Sequence, residues 1–244
     1  AALPQLKVAG DRNLILIGKA GQVEQGFELF WRSRWSHPIR RLLRRPLLPA
    51  EIRAVNDFLL TLTDPAVAMV YDLPASLFDG VPVPLGWHPG FGECWFDRPG
   101  KGLISRPTTA PRLGRMLASN QGALRLVSPY LILTRGLRRR LKGQRRQGVD
   151  IEILTNSLAS TDVPLVYGAY RRHRPWLERQ GVNLFELTTE AFSLHAKLIL
   201  MGKEEALLGS FNLDPRSLML NTELMLHLHS PTLCDELQQL INGW

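Results

Sequence analysis

The chain has 244 residues, 45% hydrophobic and 21% charged, a makeup that fits a globular protein with one large or two small cores and excludes a disordered or fibrous chain. Its net charge of +8 favours anionic partners such as phospholipid headgroups, nucleic acid or phosphorylated metabolites, without choosing among them. Two widely separated cysteines, Cys94 and Cys234, exclude a disulfide framework or a cysteine-based metal site and fit a reducing compartment. No apolar run reaches the ~18 residues that span a bilayer.

No signal peptide is visible, and the first residue is not Met. Residues 14–17 form a short apolar run closed by Gly18. Val23, Phe27, Phe30, Trp31 and Trp35 then recur near helical spacing, which predicts a strand followed by an amphipathic helix over 22–35. Residues 36–48, SHPIRRLLRRPLL, are basic and leucine-rich. They suit either a membrane-surface contact or a loop with a solvated charge cluster. Residues 49–63 read as a helix, with Pro49 in its first turn and Ile52, Val55, Phe58, Leu59 and Leu62 on one face. Residues 67–71 read as a strand. The stretch 75–102 is rich in Gly, Pro and aromatics and reads as a loop or linker between two halves, with His88 either reaching substrate or incidental.

From Thr108 the pattern alternates. Helices are predicted over 111–119, 134–147, 162–180 (capped by Asp162) and 232–242. Strands are predicted over 123–127, 149–154, 182–187, 194–201, 206–208 and 223–228. Alternating elements with a tight turn near Gly202 and Lys203 predict an α/β sandwich with a mixed sheet. The helix at 134–147 carries Arg138, Lys142 and Arg145 on one face, which suits an anionic surface or a solvated outer face.

The chemistry gathers between residues 194 and 223. His195 and Lys197 alternate along a strand and so share a face. Gly209, Ser210, Phe211 and Asn212 follow an apolar run, and Glu223 opens the next. Adjacent strands can thus place an imidazole, an ammonium, a hydroxyl, an amide and a carboxylate around one point. That set suits attack on phosphorus: the histidine as nucleophile or proton carrier, cations and amides on the non-bridging oxygens, a carboxylate to orient the ring. His195 lacks the His, Asp or Glu neighbours of a metal ligand set, so no metal or other cofactor is expected at it. Ser128, Tyr130, Thr155, Asn156 and Ser157 fall at strand ends, where open α/β sheets place ligands; they either line a substrate groove or form turns and caps.

The spacing of His195, Lys197, Gly209, Ser210 and Asn212 resembles the phospholipase D superfamily motif H-x-K-x4-D-x6-G-S-x-N, with Gly202 in the slot of the family's Asp. The text FNLDPRSLMLNTE, with SPY at 128–130 and TNSLASTDV at 155–163, resembles the branch of bacterial cardiolipin synthases and related phosphatidyltransferases. The resemblance implies a phospholipase D-like αβα sandwich, with a complete C-terminal repeat over 101–244 and a partial N-terminal repeat plus linker over 1–100. It implies that Glu223 hydrogen-bonds His195, and that Lys197, Asn212 and Ser210 hold the phosphoryl oxygens. An ungapped overlay of Asn13 on Glu223, with Phe27 and Phe30 on Leu237 and Leu240, matches in apolar pattern and suggests that the chain starts just after a first catalytic motif.

The family joins two such motifs, whereas this chain shows one. A preceding repeat, a second copy across a two-fold axis, or an inactive fragment would each account for that. The expected function is a phosphatidyltransferase acting on anionic phospholipids at a membrane surface, peripheral on the cytoplasmic face of a bacterial inner membrane or cytoplasmic. A phospholipase or nuclease of the same mechanism, or an inactive lipid- or nucleic-acid-binding module, are the alternatives.

Overall fold

Strand burial dictates the layering. Leu198, Ile199, Leu200 and Met201 are all buried in succession, the mark of a central strand covered on both faces. The computed structural model that shows this describes residues 6–8, 12–14, 21–33, 49, 50, 53, 90–189 and 193–243. The chain divides into two units, Ala1–Ser33 with His88–Trp244, and Arg34–Trp87. In the second unit Ala50 and Arg53 are helical. The remainder of the helix expected at 49–63, the strand expected at 67–71, the basic stretch 36–48 and His88 lie outside the described residues.

The first unit opens with a two-stranded antiparallel sheet, β1 (Leu6–Val8) and β2 (Arg12–Leu14), then α1 (Gly21–Trp31). The apolar run read as a strand lies at 14–17, of which only Leu14 is described, and the helix ends four residues before the expected Trp35. Then come β3 (Phe91–Phe96), α2 (Thr109–Ser119), β4 (Leu124–Val127), α3 (Arg135–Arg146), β5 (Ile151–Asn156), α4 (Pro164–Arg171), α5 (Arg174–Arg179), β6 (Asn183–Leu187), β7 (Leu198–Met201), β8 (Glu205–Gly209), α6 (Pro215–Met219), β9 (Leu224–His229) and α7 (Pro231–Asn242). Seven strands form one sheet in the order β3-β9-β8-β7-β4-β5-β6. β4, β5 and β6 run parallel, joined through helices; β4-β7-β8-β9-β3 are antiparallel neighbours. This is the mixed α/β sandwich that the alternation predicts.

Period-two alternation splits the core. Ile199, Met201, Leu207 and Met225 face Leu113 and Leu117 of α2, Leu141 of α3 and Leu177 of α5. Leu198, Leu200, Ala206 and Leu208 face Leu233, Cys234 and Leu237 of α7. Leu194 and Ala196 join this second face, so alternation puts His195 and Lys197 on the first.

Three expectations change. The helix expected at 162–180 is two, α4 and α5, because Pro175 in the run has no N–H to donate and crowds the carbonyl four residues earlier. The stretch read as a linker at 75–102 contains β3, which pairs with β9 along its whole length. A short run broken by Gly92 carries too little periodicity to show this; tertiary pairing decides it. The motif strand expected at 194–201 begins only at Leu198, so His195 and Lys197 lie in the extended segment that leads into β7.

Two positions explain glycines in the motif. Gly202 turns β7 into β8 at φ +62, a conformation that glycine adopts freely. The slot where the motif pattern has Asp is thus a turn position. At Gly209 an added Cβ would lie 2.1 Å from the Leu224 carbonyl oxygen, so β8 and β9 approach there only without a side chain.

A buried ion pair locks the sheet edge to the site. Asp97, just past β3, is fully buried and accepts from Lys101 Nζ at 2.6 Å. It also takes Thr108 N, Thr109 N and Glu223 N at 2.8, 3.0 and 3.2 Å. Lys101 Nζ in turn donates to the Ser217 carbonyl at 2.6 Å. Burial alone raises the Asp97 carboxyl, but Lys101 and the amide donors outweigh it and hold it below the ordinary value. A depressed carboxylate stabilises the fold above its unfolded-state pKa and loses that contribution as pH falls through the folded value. Asp97→Ala leaves the Lys101 ammonium buried without its partner and is expected to cost about 3–5 kcal/mol, read as a lower midpoint in urea unfolding at pH 7. The gap between the two proteins should narrow in acid.

Candidate active site

The meander β7-β8-β9 brings the expected catalytic residues to one end of the sheet. Gly209 N donates to the Lys197 carbonyl at 3.3 Å, joining the segment before β7 to the end of β8. Ser210 follows at once, and Glu223 directly precedes β9.

Lys197 is 7% exposed, and its Nζ donates to the His195 carbonyl at 2.7 Å. Burial pushes its pKa down to about 8, against the pull of Glu223, Asp162 and Asp214. His195 is exposed. Partial desolvation and the neighbouring Lys197 ammonium lower its pKa, while Asp162 acts in the opposite direction. The imidazole is therefore neutral near pH 7, the form that can attack an electrophile.

The hydrogen bond expected between Glu223 and His195 is not formed. Glu223 is buried, and its carboxylate accepts from the Ser210 hydroxyl instead. Ser210 Oγ also accepts from Leu224 N at 3.0 Å. Burial in the cleft between β8 and β9 directs Glu223 to the nearest donor on β8, and its charge acts on Lys197. The ring of His195 meets Tyr130 edge-on, with centroids 6.2 Å apart. Asn212 is buried, and its Oδ1 has no hydrogen-bond partner among the described residues, leaving an acceptor that a donor group would satisfy.

The strand-end residues divide. Tyr130, half-buried against His195, donates to both oxygens of Asp162 at 3.0 and 2.9 Å. Burial and Asp162 raise its pKa to about 12. The other four are buried in the framework rather than lining a groove. Ser128 donates to the Tyr130 carbonyl at 2.9 Å and accepts from Leu213 N at 3.1 Å. Ser157 accepts from Ala159 N and Ser160 N, closing a turn, and Thr155 is buried within β5. Asn156 clamps the backbone beside His195: its Nδ2 donates to the Leu194 carbonyl and its Oδ1 accepts from Leu194 N, both at 2.9 Å. Buried itself, it fixes the backbone next to His195.

Asp162 was expected as a helix cap, but α4 starts at Pro164 without a side-chain cap. Its carboxylate serves Tyr130 and the field around His195 and Lys197. Nothing in its local sequence marks that role, because the partner lies 32 residues away. Of the face read on α3, Arg138 packs over Trp176 and contacts His173 Nδ1 at 2.6 Å. Arg145 donates to the Val149 and Gln180 carbonyls. Lys142 remains exposed.

Residues 113–244 match the family described as cardiolipin synthase, PLD-like domain. The chain belongs to the PLD-like family. An uncharacterized protein of Helicobacter pylori strain J99 is 29% identical over 233 residues, 88% of this chain and 46% of that one. Cardiolipin synthase C of Escherichia coli K12 is 37% identical over 151 residues, 55% of this chain and 32% of that one. This PLD-like chain thus spans a third to a half of the length of these two relatives. The crystal structure of a Haemophilus influenzae phosphatidylserine synthase superposes with TM-score 0.51 at 16% identity, over 62% of this chain and 38% of that one, a likeness of fold.

The two lowered pKa values set a pH window. If His195 acts as the nucleophile, attack fails as acid protonates it, at a pH below the ordinary imidazole range. Charge stabilisation by Lys197 fails as the ammonium deprotonates near pH 8. A pH profile of kcat/KM for a phosphodiester, which reports the unliganded site, should fall on both sides. Lys197→Arg should remove the alkaline limb, because a guanidinium stays charged throughout, while lowering the plateau. Asn156→Leu should reduce turnover by about tenfold or more through misplacement of His195, with the acid limb retained.

Proposed function

We propose that the chain carries one PLD-like repeat of a phosphatidyltransferase of cardiolipin synthase type, working on phospholipid phosphodiesters through a phosphohistidine. A ring nitrogen of His195 attacks phosphorus, and the P–O bond to the leaving alcohol breaks. A second acid protonates the departing oxygen. An acceptor alcohol then gives up its proton and attacks the phosphohistidine, which restores the imidazole. Lys197 and Asn212 stabilise the charge on the non-bridging oxygens, and Ser210 links Asn212's loop to the buried Glu223. The second acid comes from a further PLD-like motif, in a preceding repeat of a longer protein or in a second copy of the chain.

The observation that favours a lipid is an apolar cavity of about 400 Å³ between α2, the start of α3 and the loop after β8. Leu113, Leu117, Leu137, Phe211 and Leu213 line it. Phe211 and Leu213 flank Asn212, and Asp214 belongs both to the cavity wall and to the charges that act on Lys197. An acyl chain fills such a space; a nucleic-acid backbone has no group for it. Arg135 and Arg140 at the wall suit an anionic headgroup. Among the described residues no helix is long and apolar enough to cross a membrane, and peripheral attachment at an anionic membrane surface follows from this reading.

The test uses the full-length protein with phosphatidylglycerol vesicles and, separately, with DNA. Cardiolipin should form, and His195→Ala should abolish it. Leu137→Trp, which fills the cavity, should lower turnover of long-chain phospholipid by about tenfold or more while sparing a short water-soluble phosphodiester. Strand cleavage without lipid turnover would replace this reading with a nuclease.

A further inference from the structure

A second cluster of chemistry-bearing residues lies at the opposite end of β9. The antiparallel register sets Glu205 of β8 opposite His229 of β9, and Glu93 of β3 opposite His227. His227 and His229 are two residues apart and share one face of the strand. His227 Nε2 lies 3.8 Å from Glu205 Oε2, and His229 Nδ1 lies 3.7 Å from Glu205 Oε1. One donor atom from each of the three residues falls within 4.8 Å of the others. Six residues separate Glu223 from His229, so this cluster stands about 20 Å along the strand from the catalytic end.

Its most telling atom is His227 Nε2. His227 is 7% exposed, and Nε2 is buried with no hydrogen-bond partner among the described residues. A contact of 3.8 Å is too long for a hydrogen bond, and an orphaned buried ring nitrogen carries a desolvation cost. The spacing suits donors on either side of an ion. Tetrahedral bonds of ~2.1 Å separate ligand atoms by about 3.4 Å, so small tilts of the side chains close the set. The other nitrogen of the ring, His227 Nδ1, lies 3.4 Å from Glu93 Oε1, the outer carboxylate that fixes tautomer and ring orientation in metal-bound histidines. Phe91 stacks on His229 at 4.6 Å and 13°, which holds the second ring. Arg112 approaches Glu93 Oε2 at 3.8 Å from α2, the oxygen other than the one facing His227.

We propose that Glu205, His227 and His229 bind one zinc-class divalent ion. Two imidazoles and one carboxylate suit Zn²⁺ and its surrogates Co²⁺ and Ni²⁺ over Mg²⁺ or Ca²⁺, which prefer oxygen-only sites. Glu205 and His229 are half-buried, which leaves the fourth position to solvent. The ion pins β8 to β9, with Glu93 drawing in the edge strand β3. This proposal is independent of the phosphatidyltransferase reading, since no catalytic residue takes part.

Untagged full-length protein, stripped with chelator and dialysed, is titrated with ZnCl₂ by calorimetry, and with CoCl₂ by visible absorption. One ion per chain is expected at the cluster, with tetrahedral Co²⁺ bands and a melting temperature that rises with Zn²⁺ concentration. Glu205→Gln and His229→Ala, both at half-exposed positions, should each weaken Zn²⁺ by more than about 100-fold, and Glu93→Gln by about 10- to 100-fold. Circular dichroism checks that each variant is folded. His195→Ala should bind as the parent does. Failure of the folded parent to bind Zn²⁺ at micromolar concentration, or unchanged affinity in folded Glu205→Gln and His229→Ala, would overturn the proposal.

Discussion

A carboxylate sealed from solvent, Asp97, gathers donors from three other parts of the chain. Through it the end of β3, the start of α2, Lys101 and the backbone of Glu223 meet at one point. Lys101 extends the network to the Ser217 carbonyl, and the Ser217 hydroxyl accepts from Asn212 N at 3.1 Å. The edge of the sheet, the first helix of the sandwich and two residues of the site are thus held by one charge pair. Two buried charges repay their desolvation only when the remaining lone pairs and protons are used, and here they are used on backbone at the start of α2 and beside the candidate site. The pair contributes geometry more than net stability.

The same logic governs the site. A lysine kept mostly from water is a poor ammonium, and Lys197 is held near the edge of ionisation with Glu223, Asp162 and Asp214 around it. A bound phosphate would add negative charge and restore full protonation. An anion beside Lys197 would favour its charged form. His195 differs: it stays exposed, unbonded through its ring, and oriented by the Asn156 clamp on Leu194 and by the edge of Tyr130.

Both ends of β9 carry function-bearing side chains, but of unlike kinds. Near Glu223 lie Ser210 and the Lys197 ammonium on which its charge acts. Near His229 the side chains converge on each other. The strand is a shared rail: its register with β8 and β3 sets the Glu223 carboxylate at one end and the imidazole pair at the other, so a shift by one residue would turn both sets to the opposite face.

Sequence alone determined the alternation of strands and helices from Thr108 onward, the mixed sheet, and the identity of His195, Lys197, Ser210 and Asn212, because strand period and motif spacing are local properties. Even Gly202 and Gly209 can be read there, once their turn and close approach are known. The His-x-His of β9 is a visible signal too, but it gains meaning only when Glu205 comes opposite. What the tertiary structure decided was partnership. Glu223 took Ser210 in place of His195, Asp162 left a helix cap for Tyr130, Asn156 turned from a lining residue into a clamp, and a glycine-rich stretch became the edge strand β3. Each depends on which groups lie within about 3 Å across gaps of tens of residues, and side-chain hydrogen bonds go to whichever donor burial brings nearest. Distance along the chain holds no record of that; only the packed sheet does.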